Sequence, residues 1–565
     1  MFAGIAEKRR SGPPLRLPDH VRLPLMPRRE LVRHLRTLSA ADAEVARRER
    51  YLILPSSGLW RACVITDAAS RRAAERKGLC VMGRARPADF SSALQEVFGP
   101  ALARRAAWRL ATERPALSAH VRLNRFQALL LALLAPILPV VVFLHPGALG
   151  AMVNVGFGLF FLLLASLHLT AARHVPRRLN APLLKDARLP VYTVLVPLYR
   201  EGRVIKQLLR ALGRLDYPLE KLDIKLLLEA DDAETRAALA EWVLPDHMEI
   251  LTVPPGAPRT KPRALNYGLA YARGELVCIL DAEDVPHPAQ LRVAASMFSA
   301  MAEDVACLQA PLGWYNAESG FFSRMIAIEY ASHFHVVLPC LAALGLPLPL
   351  GGTSNHFRIA ALRAVGEWDP FNVTEDADLG LRLARHGWRT SVLPRVGTLE
   401  EACTTFRDWR NQRARWIKGW LQTFLVHQRS PRDLLRRAGP GAFYTLYAML
   451  GAGVFAALLH PFFLGWFFLS LGDVANFASH PSHGLSRIWL LAFALVVFIA
   501  GYAAAFASAV AGIRRTRQWR LLPWLALLPF YWLLISLAAW QALWDFIHVP
   551  HHWRKTEHGR ELLLK

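Results

Sequence analysis

The sequence predicts an α/β domain built on a Rossmann-like parallel sheet, flanked by transmembrane α-helices and preceded by a small α+β domain. Between residues 186 and 438, apolar strand-like runs alternate with amphipathic segments, which is typical of a parallel sheet with crossover helices. On both sides of this region lie apolar segments close to the roughly 20 residues that a helix needs to cross a bilayer. Apolar residues make up 53% of the 565 residues, which favours a protein that lies partly in lipid.

The first part of the chain is predicted to contain a tail and a small domain. Residues 1–26 are rich in Arg and Pro and lack periodicity, so we expect a disordered basic tail. Residues 27–120 combine helical apolar spacing with strand-like runs at 51–54 and 80–82, which indicates an α+β domain. Its second half resembles the N-terminal domain of type II secretion ATPases, for which we expect a docking or structural role, with ligand binding as the alternative.

Five apolar segments have about the length of a membrane-spanning helix. They are residues 127–144, 148–170, 443–471, 488–512 and 521–547. The fifth contains Pro523 and Pro529, which interrupt a regular helix. The remaining parts of the chain are a transmembrane hairpin (121–172), the α/β domain with interfacial helices (173–440), transmembrane or re-entrant helices (441–548) and a tail (549–565).

The charge and cysteine patterns argue against a nucleic-acid-binding protein and against a zinc protein. The formal net charge is +24, which in a soluble chain would suggest nucleic-acid binding. The basic residues instead flank the apolar segments, as the positive-inside rule predicts for cytoplasmic ends, and no nucleic-acid recognition pattern accompanies them. The six Cys form no C-x-x-C pair and no zinc-ligand spacing, so we expect core residues of a reduced compartment and no nucleic-acid partner.

Polar segments follow three predicted strands of the α/β domain. The strands are residues 191–197, 223–229 and 276–280, and the first is a continuous apolar run that ends at a proline, as expected for a strand buried on both faces. Ligands bind outside the carboxyl ends of such strands. We therefore expect one crevice, formed by the segments 197–201, 231–232 and 281–284.

Acidic residues in this crevice support transfer of a group from a nucleotide diphosphate donor. Asp281 and Glu283, one residue apart beyond a strand, offer the oxygen ligands that Mg²⁺ or Mn²⁺ prefers, and such an ion would bridge the phosphates. The alternative is that this acidic run only forms a turn or caps a helix.

Two further motifs lie later in the domain. Thr374-Glu-Asp376 precedes a helical start with acidic residues in its first turn, so it caps that helix, supplies a carboxylate, or does both. In Gln412-Arg-Ala-Arg-Trp416, the residues at i, i+3 and i+4 share one helical face, so Gln412, Arg415 and Trp416 would converge. The alternative for that segment is an amphipathic surface helix.

In this order the motifs resemble those of membrane-embedded family 2 glycosyltransferases of the GT-A fold, in the branch that includes cellulose and hyaluronan synthases. The resemblance extends over residues 190–420. It implies nucleotide-sugar binding by Pro197, Tyr199, Glu201, Asp231, Asp232, Lys261, Asn266, Asp281 and Arg415. It also implies metal binding by Asp281 and Glu283, where Glu replaces the second Asp of the D-x-D motif.

The same resemblance assigns the chemistry to Asp376. As the general base, Asp376 would take the proton of an acceptor hydroxyl while that oxygen attacks the anomeric carbon in one inverting displacement. Arg415 would lie on the leaving diphosphate, and Trp416 would stack on the acceptor sugar. The implied acceptor-binding residues are Gln412, Trp416, Thr374 and Glu375.

The C-terminal segment from Trp553 to Gly559 is similar to the gating loop of cellulose synthases, with Trp553 and Thr556 as the implied loop residues. Such a lid must be cytoplasmic to reach the site. We therefore expect residues 521–547 to be interfacial or re-entrant, which suits their several Trp side chains. The alternative is that residues 443–471 divide near His460 and Pro461 into two short elements. The alternative for the C-terminal segment is an unstructured basic tail.

The resemblance implies an inverting hexosyltransferase that moves a sugar from a UDP-sugar to a growing polysaccharide, processively and with export across the bacterial inner membrane. We expect a multi-pass protein with its catalytic domain and both termini in the cytoplasm. Mg²⁺ or Mn²⁺ is the implied cofactor, and membrane lipids and envelope export subunits are the implied partners. The alternatives are transfer of one sugar to a lipid carrier, and an envelope receptor or scaffold with a degenerate transferase domain.

Overall fold

The structure, a computed structural model, describes residues 23–55, 61–144, 146–175, 181–477 and 485–552, together with 555, 559, 561 and 563. Residues 1–22 of the predicted basic tail lie outside the described residues. The same holds for Trp553 and Thr556 of the predicted gating loop.

The N-terminal part combines a three-stranded sheet with four helices. β1 (Tyr51–Ile53) pairs antiparallel with β2 (Ala62–Ile65), which pairs parallel with β3 (Cys80–Arg84). The helices are α1 (Arg28–Leu35), α2 (Ala40–Glu49), α3 (Ala68–Arg76) and α4 (Pro87–Glu113). Strands therefore lie at both predicted positions, whereas the relation to secretion ATPases stays a prediction.

Ten further strands form two sheets in the centre of the protein. They are β4 (Tyr192–Leu198), β5 (Leu222–Glu229), β6 (Met248–Val253), β7 (Leu276–Ile279), β8 (Val285–Pro286), β9 (Val305–Gln309), β10 (Leu312–Trp314), β11 (Asn355–Arg358), β12 (Arg389–Val392) and β13 (Thr398–Glu400). The large sheet has the order β12-β9-β11-β7-β4-β5-β6, and the small sheet has the order β10-β13-β8.

The large sheet is mixed, so the prediction of an all-parallel sheet is wrong at one strand. β4, β5, β6 and β7 are parallel as predicted, but β11 runs antiparallel to both β7 and β9. The reason is the route of residues 310–354. This stretch leaves the carboxyl end of β9 and returns at the same edge of the sheet, so β11 enters from the opposite direction.

The helices after α4 fall into three groups. α5 (Arg125–Leu144) and α6 (Pro146–Arg173) form a hairpin before the sheet. Interleaved with the strands are α7 (Ile205–Leu212), α8 (Ala233–Ala240), α9 (Lys261–Leu269), α10 (Gln290–Ala300), α11 (Phe321–Ser332), α12 (Leu338–Ala343), α13 (Ile359–Ala364) and α14 (Glu375–Arg385). After the last strand come α15 (Phe406–His427), α16 (Pro431–Thr445), α17 (Ala452–Phe477), α18 (Leu485–Thr516) and α19 (Leu528–His548).

Two hydrophobic cores lie on opposite faces of the large sheet. Val194 and Val196 of β4 belong to one core, and Leu195 belongs to the other. Successive side chains of a strand point to opposite faces, and all three are fully buried. The continuous apolar run that predicted this strand therefore reflects burial on both sides.

Five helical segments are long and apolar enough to cross a membrane: Asn154–Arg173, Phe321–Ala343, Pro431–Gly465, Ala492–Thr516 and Trp519–His548. Four of them overlap predicted segments, whereas the predicted first span appears as a shorter apolar helix. Sequence reasoning missed the segment Phe321–Ala343. Its most apolar stretch is 67% buried inside the protein, whereas the corresponding stretches of the other four segments are 22–44% buried. That helix is therefore covered mainly by protein.

α4 closes one edge of the large sheet. β6 is the edge strand, and the Gln95 side chain of α4 lies against its backbone. Nε2 of Gln95 donates to the carbonyl oxygen of Ile250 at 3.4 Å, and Oε1 accepts the amide of Thr252 at 2.9 Å. One side chain thus satisfies backbone groups that a further strand would otherwise pair.

Candidate active site

A cavity of about 1110 Å³ lies beyond the carboxyl ends of β4 and β7. It brings together most of the predicted site residues, namely Pro197, Tyr199, Glu201, Lys261, Asp281, Glu283, Thr374, Glu375, Asp376, Gln412, Arg415 and Trp416. It continues between α6, α17, α18 and α19, where Leu164, His168, His460, Phe463, Phe498, Tyr502 and Trp532 line it. One space therefore joins the edge of the sheet to the apolar helices.

Tyr199 and Arg259 form a cationic and aromatic rim on this cavity. Nη1 of Arg259 donates to Oη of Tyr199 at 3.2 Å, and the guanidinium lies 5.6 Å from the centre of the Tyr199 ring. Asp231 does not line the cavity but pairs with Arg259 at 2.7 Å. A flat ring beside a held cation can receive a nucleobase, so Asp231 would act there through Arg259.

Asp232 belongs to the fold rather than to the cavity wall. Its Oδ1 accepts the amide of Thr235 at 3.0 Å, which caps α8, and its Oδ2 accepts the amide of Arg200 at 2.5 Å. Arg200 has a φ of +56°, a conformation that needs such support in a residue other than glycine. Asp232 thereby fixes the turn that carries Tyr199 and Glu201.

Lys261 begins α9 and reaches the carboxyl end of β7. Its Nζ lies 2.5 Å from Oδ1 of Asp281 and donates to the carbonyl oxygen of Gly352 at 2.6 Å. Burial lowers the pKa of Lys261, but the charges of Asp281 and Glu375 more than offset this and raise the pKa above its ordinary value. Lys261 is therefore a cation in the place where a diphosphate would lie.

Three acidic side chains, Asp281, Glu283 and Glu400, line the cavity, and the buried Asp284 adjoins this cluster, since its Oδ2 accepts the amide of Asp281 at 2.7 Å. Burial and the charge of Asp281 raise the pKa of Glu283 to about 8 and hold the pKa of Asp284 well above its usual range. Burial and the same acidic neighbours also raise the pKa of Glu400 on β13. Its Oε1 has no hydrogen-bond partner among the described residues. An added cation would stabilise the ionised form of this cluster.

The predicted metal ligands fit a divalent ion that is shared with a donor. Within the described part of the chain, no three His, Cys, Asp or Glu side chains are grouped closely enough to hold a metal ion by themselves. Mg²⁺ is commonly held by one or two carboxylates together with substrate phosphates. Asp281 and Glu283 both line the cavity, and they supply carboxylates of that kind.

Asp376 lies in the first turn of α14 and lines the cavity. Its Oδ1 accepts the amide of Ala377 at 2.7 Å. Burial raises the pKa of Asp376, and burial together with the charge of Asp376 raises the pKa of Glu375 to about 7. Thr374 occupies the N-cap position, but its side chain makes no capping hydrogen bond. The side-chain capping role considered for Thr374 is therefore not observed.

The face of α15 that carries the last motif packs against this turn. Gln412, Arg415 and Trp416 all line the cavity, as their spacing predicts. Nη1 of Arg415 lies 3.5 Å from the carbonyl oxygen of Val373. The close approach depends on Gly419, since a Cβ at this position would lie 2.2 Å from Oγ1 of Thr374.

Asn266 lies away from the cavity, contrary to its predicted contact with the nucleotide. Its Nδ2 donates to the carbonyl oxygens of Ala106 at 3.0 Å and of Trp368 at 2.9 Å. Its Oδ1 accepts the amide of Trp368 at 3.1 Å. The Asn266 amide therefore joins α4 to the loop that follows α13.

One described residue of the predicted gating segment, Lys555, reaches the cavity. Lys555 lines it, and its Nζ lies 3.0 Å from Oε1 of Glu201. Glu401 accepts the amides of Gly559 at 2.5 Å and of Glu561 at 2.8 Å. Lys555 thus lies on the donor side of the cavity, where the predicted lid would lie.

Sequence reasoning missed Arg259, Glu400 and Lys555. Arg259 lies two residues before Lys261, and Lys555 lies inside the predicted gating segment, so both have a signal in the sequence. Glu400 ends a strand of three residues. A strand that short has no recognisable pattern.

Comparison with known proteins identifies the class of the central domain. Residues 190–419 match the family model described as glycosyltransferase like family 2. The chain therefore contains a glycosyltransferase family 2 domain, as the ordered motifs predict, and curated glycosyltransferases are among its homologues. The assignment to the cellulose and hyaluronan synthase branch stays a prediction.

Three curated relatives are similar to the chain over this domain. A probable glycosyltransferase, YdaM of Bacillus subtilis, is 28% identical over 258 residues, which are 45% of this chain and 59% of the relative. Glucomannan 4-beta-mannosyltransferase 1 of Oryza sativa is 26% identical over 250 residues, 43% of this chain and 48% of the relative. Beta-monoglucosyldiacylglycerol synthase of Trichormus variabilis is 28% identical over 240 residues, 42% of this chain and 50% of the relative. The chain spans about half the length of these curated relatives.

Proposed function

We propose that this protein is an inverting glycosyltransferase that moves a sugar from a UDP-sugar to a growing polysaccharide held in the cavity. The observation that carries the proposal is the shape of that cavity. It holds the donor-side motifs, Asp376 and Trp416 in one space, and this space continues between the apolar helices. An acceptor can therefore approach Asp376 from the side opposite to the donor.

The donor would lie along the carboxyl ends of β4 and β7. Its base would stack on Tyr199 beside Arg259, and its diphosphate would approach Lys261 and Arg415. Lys261 pairs with Asp281 at 2.5 Å, and Arg415 lines the same cavity as Asp376. Fixed positive charges of this kind stabilise the charge that develops on a leaving diphosphate. Asp281 and Glu283 would hold Mg²⁺ or Mn²⁺, which supplies further neutralisation of the phosphates when bound.

Asp376 would act as the base. An inverting displacement needs one carboxylate that takes the proton of the acceptor hydroxyl, on the face of the sugar opposite to the leaving group. Burial raises the pKa of Asp376, which makes it a stronger base than an exposed aspartate. The proton moves from the acceptor hydroxyl to Oδ of Asp376 as the bond from that oxygen to the anomeric carbon forms and the bond to the diphosphate breaks.

Aromatic rings support passage of a polysaccharide into the helices. Trp420, Phe463, Phe498, Tyr502 and Trp532 line the part of the cavity beyond Trp416. Such rings offer flat apolar faces and, in Tyr and Trp, a polar group, and a sugar chain presents CH faces and hydroxyls that match them. This arrangement supports processive elongation with export.

Transfer of one sugar to a lipid is the second candidate function. Leu164, Met449, Leu464, Val497 and Ile535 line the same part of the cavity, and aliphatic walls also suit acyl chains. A glycolipid synthase is among the similar proteins. A third possibility, an envelope receptor or scaffold with a degenerate domain, is disfavoured by the chemically competent residues at the predicted positions.

The proposed location is the bacterial inner membrane, with the catalytic domain and both termini in the cytoplasm. The basic flanks of the apolar segments support that orientation, and the contact of Lys555 with Glu201 at 3.0 Å supports a C-terminal segment on the catalytic side. Export of a polymer would bring envelope subunits as partners.

The test is turnover of defined donors by purified protein in detergent. A panel of UDP-sugars and GDP-mannose is incubated with Mg²⁺ or Mn²⁺, and nucleotide release is measured. Asp376→Asn should abolish turnover, whereas Asp304→Asn, an exposed aspartate paired with Arg389, should leave it unchanged. Labelled product retained on a filter as polymer supports elongation, and product in an organic extract supports a lipid acceptor. No release from any donor, or full activity of Asp376→Asn, would refute the proposal.

A further inference from the structure

Arg413 lies inside the motif that runs from Gln412 to Trp416. It has no role in the proposed transfer reaction. We infer that Glu329 and Arg413 are positioning residues for the acceptor. Together they would fix the position of the Trp416 indole ring, which lines the cavity, with the Arg413 guanidinium over one ring face. This inference rests on the proposed function, in which Trp416 stacks on the acceptor sugar.

Glu329 and Arg413 form a charged pair between α11 and α15. Nη1 of Arg413 lies 3.3 Å from Oε1 of Glu329, and Nη2 contacts Oε2. The Arg413 side chain is only 8% exposed. A pair with two parallel contacts fixes the plane of the guanidinium as well as its position.

A third helix holds the carboxylate of Glu329 in place. Oη of Tyr531 on α19 donates to Oε2 of Glu329 at 2.8 Å. Nε1 of Trp409 on α15 donates to that Tyr531 oxygen at 3.0 Å. Trp409 and Tyr531 are both fully buried. The Glu329 carboxylate is therefore held by side chains of α15 and α19, and its fixed position restricts where Arg413 can lie.

Arg413 in turn lies over the ring of Trp416. Its guanidinium carbon is 4.6 Å from the ring centre, inside the distance of about 6 Å at which a cation is attracted to an aromatic face. The two residues are three positions apart on α15, so their side chains share one face. A guanidinium on one face of the indole excludes a ligand from that face.

The pair lines the same cavity as the donor-side residues but does not contact them directly. Within the described part of the chain, neither Glu329 nor Arg413 forms a hydrogen bond or ion pair with Lys261, Asp281 or Asp376. Loss of the pair should therefore change the binding of the acceptor more than that of the donor. A group that only stabilised the fold would change both.

The experiment measures the KM of the acceptor separately from kcat and from the KM of the donor. Nucleotide release is followed at saturating donor while mannotetraose, cellotetraose or dioleoylglycerol is titrated, and donor hydrolysis is followed without acceptor. Arg413→Gln and Glu329→Gln should each raise the acceptor KM about tenfold, which corresponds to about 1.4 kcal/mol. The donor KM and the hydrolysis rate should stay within about twofold. The double variant should do no more than Arg413→Gln alone, because both changes remove one arrangement.

Arg410→Gln is the matched control. Arg410 lies on the same helix with its guanidinium 5.7 Å from the Phe406 ring centre, and it does not line the cavity. The acceptor KM of Arg410→Gln should equal that of the parent.

An unchanged acceptor KM in both Arg413→Gln and Glu329→Gln would overturn the inference, as would an equal loss in donor hydrolysis. Glu329→Asp gives a second reading if Glu329→Gln fails to fold, since it retains the charge and should recover part of the acceptor affinity. If the parent protein turns over no donor, the proposed function is refuted and this inference with it. If the parent is active and only the variants behave otherwise than expected, the inference alone is refuted.

Discussion

Replacing Gly419 with Ala tests the close contact between α14 and α15. A Cβ at this position would lie 2.2 Å from Oγ1 and 2.6 Å from Cγ2 of Thr374. Carbon atoms in contact are normally about 3.5–4.0 Å apart, so Thr374 would have to move by about 1 Å. Asp376 lies two residues further along the same turn, and it would move with Thr374.

Two opposing contributions decide the effect on stability. Ala is favoured over Gly in a helix by about 1 kcal/mol, whereas overpacking a well-filled contact costs about 1–3 kcal/mol. The free energy of unfolding should therefore fall by at most about 2 kcal/mol. A displacement of about 1 Å at a catalytic group costs up to about 100-fold in rate. We therefore expect kcat to fall far more than stability does.

The assay compares nucleotide release with thermal unfolding in detergent. Gly465→Ala on α17 is the control, because no atom of the described residues lies within 4 Å of the Cβ that it would add, and both its kcat and its Tm should match or exceed those of the parent. Adding Thr374→Ala to Gly419→Ala removes the two closest atoms and should recover part of kcat. If Gly419→Ala has the kcat and Tm of the parent, the packing argument for this glycine is wrong.

Three further predictions concern the donor and the base. Burial raises the pKa of Asp376 and, together with the charge of Asp376, raises that of Glu375 to about 7. Because the base acts when deprotonated, kcat should rise with pH through this raised pKa and fall as the pH is lowered; a pH–rate profile that is flat from pH 5 to 8 would contradict this. Lys261→Met removes the cation that pairs with Asp281 and should raise the donor KM about tenfold or more. Lys221→Met should not change it, because Lys221 is a half-buried lysine that contacts backbone carbonyls outside the cavity. Truncation after His552 removes Lys555 and should raise the donor KM, measured by nucleotide release. The Tm, measured by thermal unfolding, should stay within a few degrees of that of the parent. An unchanged donor KM would exclude a lid role for the segment.

Residues that directly follow buried strands were predictable from the sequence, because chain direction and burial fix where strand ends lie. Asp281 and Glu201 reach the cavity for that reason. The helical spacing of Gln412 and Trp416 was equally informative. These positions depend on local geometry, which a sequence pattern records.

Positions that depend on distant packing were not predictable in the same way. The direction of β11 follows from the route of residues 310–354, and its four residues, Asn355–Arg358, have no pattern that indicates direction. Asn266 is an instructive case, because at about 100° per residue it lies roughly 140° around α9 from Lys261. Both side chains could not have faced the same ligand from one regular helix, so helix geometry argues against their shared role.

The contact of Gln95 with the backbone of β6 bears on how the chain is made. An unpaired edge strand can template pairing with another chain, and Gln95 occupies two of its backbone groups. Synthesis proceeds from the N-terminus, and domains generally fold in that order. α4 therefore leaves the ribosome more than a hundred residues before β6 does, so the side chain that protects this edge exists before the edge itself emerges. Transfer of α4 to a later place in the chain by circular permutation would reverse that order and expose the edge of a nascent sheet to aggregation.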